Sequence, residues 1–235
     1  MTGFFRALRG EMRKLNRRKK YNVLFILLLI PYMIGRVVAA FTHMNAASGV
    51  VLGNTLLMLY LPLIAFIGVN DLISSEIRER TIHQSLVKPV SRMTVYIAKC
   101  TAVFLKCARH AFLLMLMDYV FGFLGIGSGS YFQIFYLAFD MIPLLTLIAF
   151  SALISVCVNS PAFSMLLTIV AYVAMIVAGS FLGVSQILFT SYMAWHGMLH
   201  GGIGLVGLVE RLLIVIAPGM VFLTSGAIAL ERKRF

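Results

Sequence analysis

The sequence predicts an all-α polytopic membrane protein of six transmembrane helices, preceded by an N-terminal amphipathic interfacial helix and interrupted by a short cytoplasmic helix between spans 2 and 3. Three observations carry this. The 235 residues are 61% hydrophobic, with a mean hydropathy of +0.97. Apolar runs repeatedly approach the ~20 residues needed to cross a ~30 Å hydrocarbon core. Those runs have no period-two alternation, which leaves a closed β-barrel unsupported. No large soluble domain fits, so residues 1–235 form a single transmembrane domain.

The segment 1–20 contains "TGFFRALRGEMRKLNRRKK". Phe4, Phe5, Leu8, Met12 and Leu15 recur at helical spacing, while Arg6, Arg9, Arg13 and Arg17 occupy other faces. This pattern predicts an interfacial helix on the cytoplasmic leaflet. Spans are expected at 21–42, 50–69, 100–126, 131–158, 162–184 and 208–230, separated by turn signals such as "HMNAASG", "GIGSGS" and "NSP". The first is a retained span rather than a signal peptide, because its charged lead is long and Arg36 sits inside it. Residues 185–207 make an outer connection.

Cations set the orientation. Arg6, Arg9, Arg13, Lys14, Arg17, Arg18, Lys19 and Lys20 precede the first span; Arg78, Arg80, Lys88, Arg92 and Lys99 lie between the second and third; Arg232, Lys233 and Arg234 follow the last. The stretches 43–49, 127–130 and 185–203 hold no Lys or Arg. The positive-inside bias places both termini and residues 70–99 in the cytoplasm. The formal net charge of +12 is thereby explained, with no nucleic-acid role required.

Intramembrane charges mark where function could reside. The stretch from Cys100 to Ile126 is about 40 Å long as a helix, so Lys106 and Arg109 are expected to snorkel to the cytoplasmic headgroups. Asp118 stays submerged. Arg36, Asp118 and Asp140 fall at comparable outer-half depth on spans 1, 3 and 4, a candidate ion-paired cluster that either holds the spans together or lines a substrate path.

Enzymatic signals are absent: there is no phosphate loop, no H-E-x-x-H and no G-x-S-x-G. His196 and His200, beside Tyr192 and Trp195, read as an outer aromatic belt rather than a metal site. Cys100, Cys107 and Cys157 read as small apolar residues without a disulfide. Gly49 with Gly53, and Gly179 with Gly183, have the spacing of close helix contacts. No catalytic, cofactor-binding or metal-ligating residue is expected.

The polar island at 70–99 is the most informative stretch. A helix beginning near Ser74 or Ser75 would carry Glu76 and Glu79 in its first turns, where the cap and the dipole favour them. Ile77, Ile82 and Leu86 would give it apolar contacts, and Pro89 would stop it. Within "ISSEIRERTIHQSLVKPVSRMTVYIAK", Glu76, Thr81, Leu86, Pro89, Val90, Ser91, Arg92 and Lys99 match a pattern of the ABC-2 type transporter permeases, which this segment resembles. It departs at Arg80, usually glycine in that family, and at His83, where an acidic residue is common. The resemblance implies that the island is a coupling helix docking on a separate ATP-hydrolysing subunit through Glu76, Ile77, Glu79, Thr81, Ile82, Leu86, Pro89 and Arg92. It further implies a bacterial plasma-membrane complex of two permeases, identical or not, and two ATPases, with ATP and Mg bound by the partner ATPase and no cofactor in this chain. Peptide antibiotics or other amphipathic compounds are the expected cargo. The alternative is a non-transporting membrane immunity or sensor protein that binds a toxin or partner protein.

Overall fold

A computed structural model describes residues 2–41, 59–79, 91–123, 133–158, 160–183, 186–193 and 204–233; the side chains of Arg36 and Asp118 are outside this description. Among the described residues the only regular secondary structure is helix, with no strand. The helices are α1 (Thr2–Arg17), α2 (Lys19–Phe41), α3 (Leu59–Arg78), α4 (Arg92–Phe123), α5 (Gln133–Cys157), α6 (Pro161–Phe181) and α7 (Leu205–Arg232). Five of these, α3 to α7, contain stretches long and apolar enough to cross a membrane. The remaining long helix, α2, stands where the first span is expected.

Two boundaries differ from expectation around the polar island. The second span was expected to end at residue 69, but α3 runs on to Arg78 through a π-helical turn at Asn70–Ser74. The short helix expected to start at Ser74 or Ser75 is therefore this continuation: Ser74 is already helical and makes no side-chain cap. The serine that does cap is Ser91, whose Oγ accepts the Thr94 N–H at 3.2 Å. It opens α4 eight residues before the expected start at 100, because a capped N-terminus lets polar residues join the helix. Pro161 begins α6 as its first residue, behind an extended Ser160, the position where a missing N–H leaves no bond unmade.

Small residues set the close approaches. A Cβ on Gly68 would lie 3.0 Å from Val103 of α4, and one on Gly219 would lie 2.7 Å from Thr146 Oγ1 of α5. Gly226 faces the hydroxyl of Tyr96. These glycines bring α3, α4, α5 and α7 together, as small residues do where lipid offers no hydrophobic drive between helices. None was singled out by its spacing. Of the pairs that were, Gly49 and Gly53 lie outside the described residues, and Gly183 instead ends α6 in the left-handed region at φ 66°. Among the described residues the α5–α7 contact is extensive and is also tied by Thr146, which donates to the Val215 carbonyl at 2.8 Å.

The N-terminal helix forms as expected, but its surroundings differ. Leu15 is fully buried, Leu8 and Met12 pack on the core, and α1 lies against α4. Its apolar face is thus turned to protein rather than to lipid. The described part of the connection between α6 and α7 also tucks inward: Phe189, Tyr192 and Met193 lie buried in a 3-10 turn, and Arg211 stands over the Tyr192 ring at 5.7 Å. Trp195, His196 and His200 lie outside the described residues.

Candidate functional site

The charged residues of the bundle converge where α1, the end of α3 and the start of α4 meet. Glu11 and Lys14 come from α1, Glu76 from the last turn of α3 and Lys99 from the second turn of α4. Lys99 Nζ lies 2.7 Å from Glu76 Oε2 and 3.3 Å from Glu11 Oε2. Lys14 Nζ lies 2.8 Å from Glu76 Oε1 and 3.1 Å from Glu11 Oε1. Two carboxylates and two ammonium groups close a neutral ring. Lys99 is only 1% exposed and both glutamates are buried. A single ammonium at such depth would be strongly disfavoured; two carboxylates within ion-pair distance make its burial tolerable.

Lys14 is the ring's more exposed member. Burial disfavours its ammonium, but hydrogen bonds and attraction from Glu76 and Glu11 outweigh this and raise its pKa above the ordinary lysine value. A raised pKa contributes stability that is complete below the unfolded value and fades as pH rises through the folded one. The Lys14 contribution therefore persists across the neutral range and is lost only in strong alkali.

A second node lies one turn back along α3. The buried Asp71 carboxylate accepts the Tyr21 hydroxyl at 2.6 Å, lies 2.6 Å from Lys20 Nζ and 3.0 Å from Arg18 Nη1. On a regular α-helix, residues five apart such as Asp71 and Glu76 would stand about 140° from each other. The π turn between them replaces i→i+4 bonding by i→i+5, seen in the Ser75 N–H bonded to the Asn70 carbonyl. It brings both acids round to face the N-terminal segment. The local widening leaves the buried Asn70 Oδ1 and Ser74 Oγ without hydrogen-bond partners among the described residues.

Lys106 extends the same seam. It is buried, donates to Asn16 Oδ1 at 3.2 Å and stands 5.5 Å from the Tyr21 ring centroid. The expectation that Lys106 reaches the headgroups is thus corrected, because α1 covers it; Arg109, one turn on, is exposed. Further along, Phe25 stacks on His110 at 4.8 Å, with Tyr60 Oη 3.5 Å from His110 Nδ1.

The expected coupling residues divide into three groups. Glu76 and Ile77 are buried inside this chain, Ile77 within the main apolar core. Glu79 and Arg92 are exposed at the two ends of the intervening segment. Thr81, Ile82, Leu86 and Pro89 lie outside the described residues. Arg92 has a role that spacing did not reveal: its Nη1 donates to the carbonyls of Glu231 and Lys233, each at 3.2 Å, at the C-terminal end of α7. Lys233 in turn donates to the Val156 carbonyl at the end of α5, 2.7 Å away. Cations at helix C-termini satisfy carbonyls that have no intrahelical donor. Arg92→Ala should therefore loosen the end of α7, costing about 1–2 kcal/mol, and raise the rate of proteolytic trimming at the C-terminus; an unchanged rate would show that these bonds contribute nothing.

Of the expected intramembrane cluster, Asp140 is buried on α5. Arg36 lies on α2 and Asp118 on α4, with side chains outside the described residues. Of the ring and the Asp71 node, Glu76 and Lys99 stand in the motif read from sequence, whereas Glu11, Asp71 and Tyr21 were not singled out, and Lys14, Arg18 and Lys20 were counted only as cytoplasmic cations. The available signal was Glu11, an acid amid eight cations in the first twenty residues, which a purely lipid-facing surface would not require.

A family model described as "ABC-2 family transporter protein" matches residues 7–176, a span that holds every residue of the ring and of the Asp71 node. No curated protein matches the chain.

Proposed function

Since the chain belongs to the ABC-2 family of transporter proteins and is a multi-pass membrane protein, we propose that it is the permease subunit of an ATP-driven exporter. It works with a separate ATPase dimer and a second permease copy in a bacterial plasma membrane. In this reading α2 is the sixth crossing, both termini are cytoplasmic, and residues 80–90 dock on the ATPase. ATP and magnesium belong to that partner, and this chain does no covalent chemistry. Peptide antibiotics or other amphipathic compounds are the proposed cargo.

One observation supports this reading above the rest. The segment 80–90 leaves from Glu79 and returns at Ser91, and both of its roots are anchored. On one side Glu76 is locked to α1 and α4 by the charged ring. On the other, Arg92 is bonded to the end of α7. A push on that segment would reach α1, α3, α4 and α7 together rather than dissipate in a loose loop, which is what coupling an ATPase to membrane helices requires.

The test is a charge placed in the docking segment. Ile82→Asp or Leu86→Asp should abolish co-purification with the ATPase and transport-dependent secretion or resistance, since an unpaired carboxylate in a partly apolar contact costs about 2–5 kcal/mol. Membrane abundance should stay normal. Gln84→Ser should behave as wild type. Retention of both the ATPase and transport by the Asp variants would overturn the docking assignment, and nucleotide binding by the isolated chain would overturn the permease reading.

A further inference from the structure

We propose that the outer face of α1 is a binding surface for anionic phospholipid headgroups, formed by Arg6, Arg9, Arg13 and Arg17 with Phe5 beside them. The spacings of three, four and four residues place the four arginines within a stripe about 80° wide, diametrically opposite Leu8, Glu11 and Leu15. All four are exposed, and none is paired with a carboxylate among the described residues. Phe5, at the edge of the stripe, is 64% exposed. The inner face of the same helix has its charges neutralised by the ring. The outer face gathers four guanidinium groups whose planar fork suits a phosphate oxygen pair.

The contacts of α1 decide what this stripe meets. Glu11 pairs with Lys99 and Asn16 with Lys106, so residue numbers rise together in α1 and α4. Lys14 pairs with Glu76, and Arg18, just past the end of α1, pairs with Asp71, so residue numbers run oppositely along α1 and α3. The helix therefore lies along the flank of the α3–α4 pair, not across its end, and its opposite face looks sideways, away from the bundle. Partners that dock on the end of the bundle are not in that direction; the lipid leaflet is. Depth agrees. Within two turns of Arg17 the outward residues of α2 become apolar, with Val23, Ile26, Leu27 and Ile30 all exposed. Arg17 thus sits just beyond the apolar belt, at the level of the phosphates, and the stripe runs from there about 16 Å along the helix to Arg6.

The experiment uses the full chain in nanodiscs of phosphatidylcholine with rising phosphatidylglycerol, followed by transfer to mild detergent and native mass measurement of retained lipid. Wild-type protein should retain phosphatidylglycerol over phosphatidylcholine, and raising salt should release it, because the attraction is screened. R6Q/R9Q/R13Q/R17Q should lose retention about a hundredfold or more, each surface arginine contributing up to roughly fivefold, whereas the corresponding quadruple lysine variant should keep most of it. If the glutamine variant does not accumulate, the salt titration of wild-type protein decides alone. Equal retention of the two lipids, salt-insensitive retention, or unchanged retention in the glutamine variant would overturn the proposal. So would loss of the ATPase from that variant with lipid retention intact, which would make the stripe a protein-docking face. Leu86→Asp separates this proposal from the coupling reading: it should lose the ATPase and keep its phosphatidylglycerol.

Discussion

Lys99→Met should be the most damaging single change in this protein, lowering stability by about 3–5 kcal/mol, the range for removing one partner of a buried ion pair. Methionine fills much the same volume, so the loss is electrostatic. With Lys99 gone, Glu11 and Glu76 face each other and share only Lys14, whose side chain is 41% exposed. Two carboxylates cannot both stay charged at such proximity without a second cation. The expected readouts are a lower thermal midpoint in detergent and rapid tryptic cleavage among the arginines of α1, which is released when the ring opens. Glu11→Leu in the same chain should restore much of the loss, because it leaves the 2.8 Å Lys14–Glu76 pair neutral and whole. If Lys99→Met melts like wild type and keeps α1 protected, the ring is incidental to the fold.

Gly226→Ala should follow in size, through packing rather than charge. A methyl group there would collide with the hydroxyl and ring of Tyr96, which is fully buried and cannot swing away, and it would also touch the backbone of Leu153 at 3.5 Å. Overpacking of this kind costs about 1–3 kcal/mol. Because Gly226 is where α7 meets both α4 and α5, the effect should appear as separation of α7 from the bundle, measured by a lower melting midpoint and by new reactivity of thiols placed along its inner face. Gly226→Ala with Tyr96→Phe should recover part of the loss, since the hydroxyl is the first atom the methyl meets. No change in the single variant would mean that α7 adjusts freely at this crossing.

Much of the architecture was readable because the hydrocarbon imposes it. Runs of Leu, Ile, Val and Phe near the required length leave few alternatives to helices, and α5, α6 and α7 begin and end within about four residues of the expected positions. The amphipathic helix was equally legible from the alternation of Leu8, Met12 and Leu15 with four arginines. What that alternation could not tell is which surface the apolar face would meet. Lipid and a bundle of apolar helices present the same chemistry to Leu15, so periodicity alone does not distinguish them. Similarly, Ser74 and Ser91 are both serines placed before plausible helices; only the chain's path shows that Ser74 lies inside a continuing helix while Ser91 caps a new one.

The sequence by itself determined the fold class, the existence of α1 and the family to which the 70–99 segment belongs, because each rests on composition or on a local pattern within about thirty residues. The tertiary structure alone decided that Glu11, Lys14, Glu76 and Lys99 form one ring, that a π turn points Asp71 and Glu76 the same way, and that Arg92 holds the end of α7. These residues and their partners are separated by up to 141 positions along the chain. Pairing of buried charges depends on distance and depth in space, and neither quantity is encoded in any local spacing of residues.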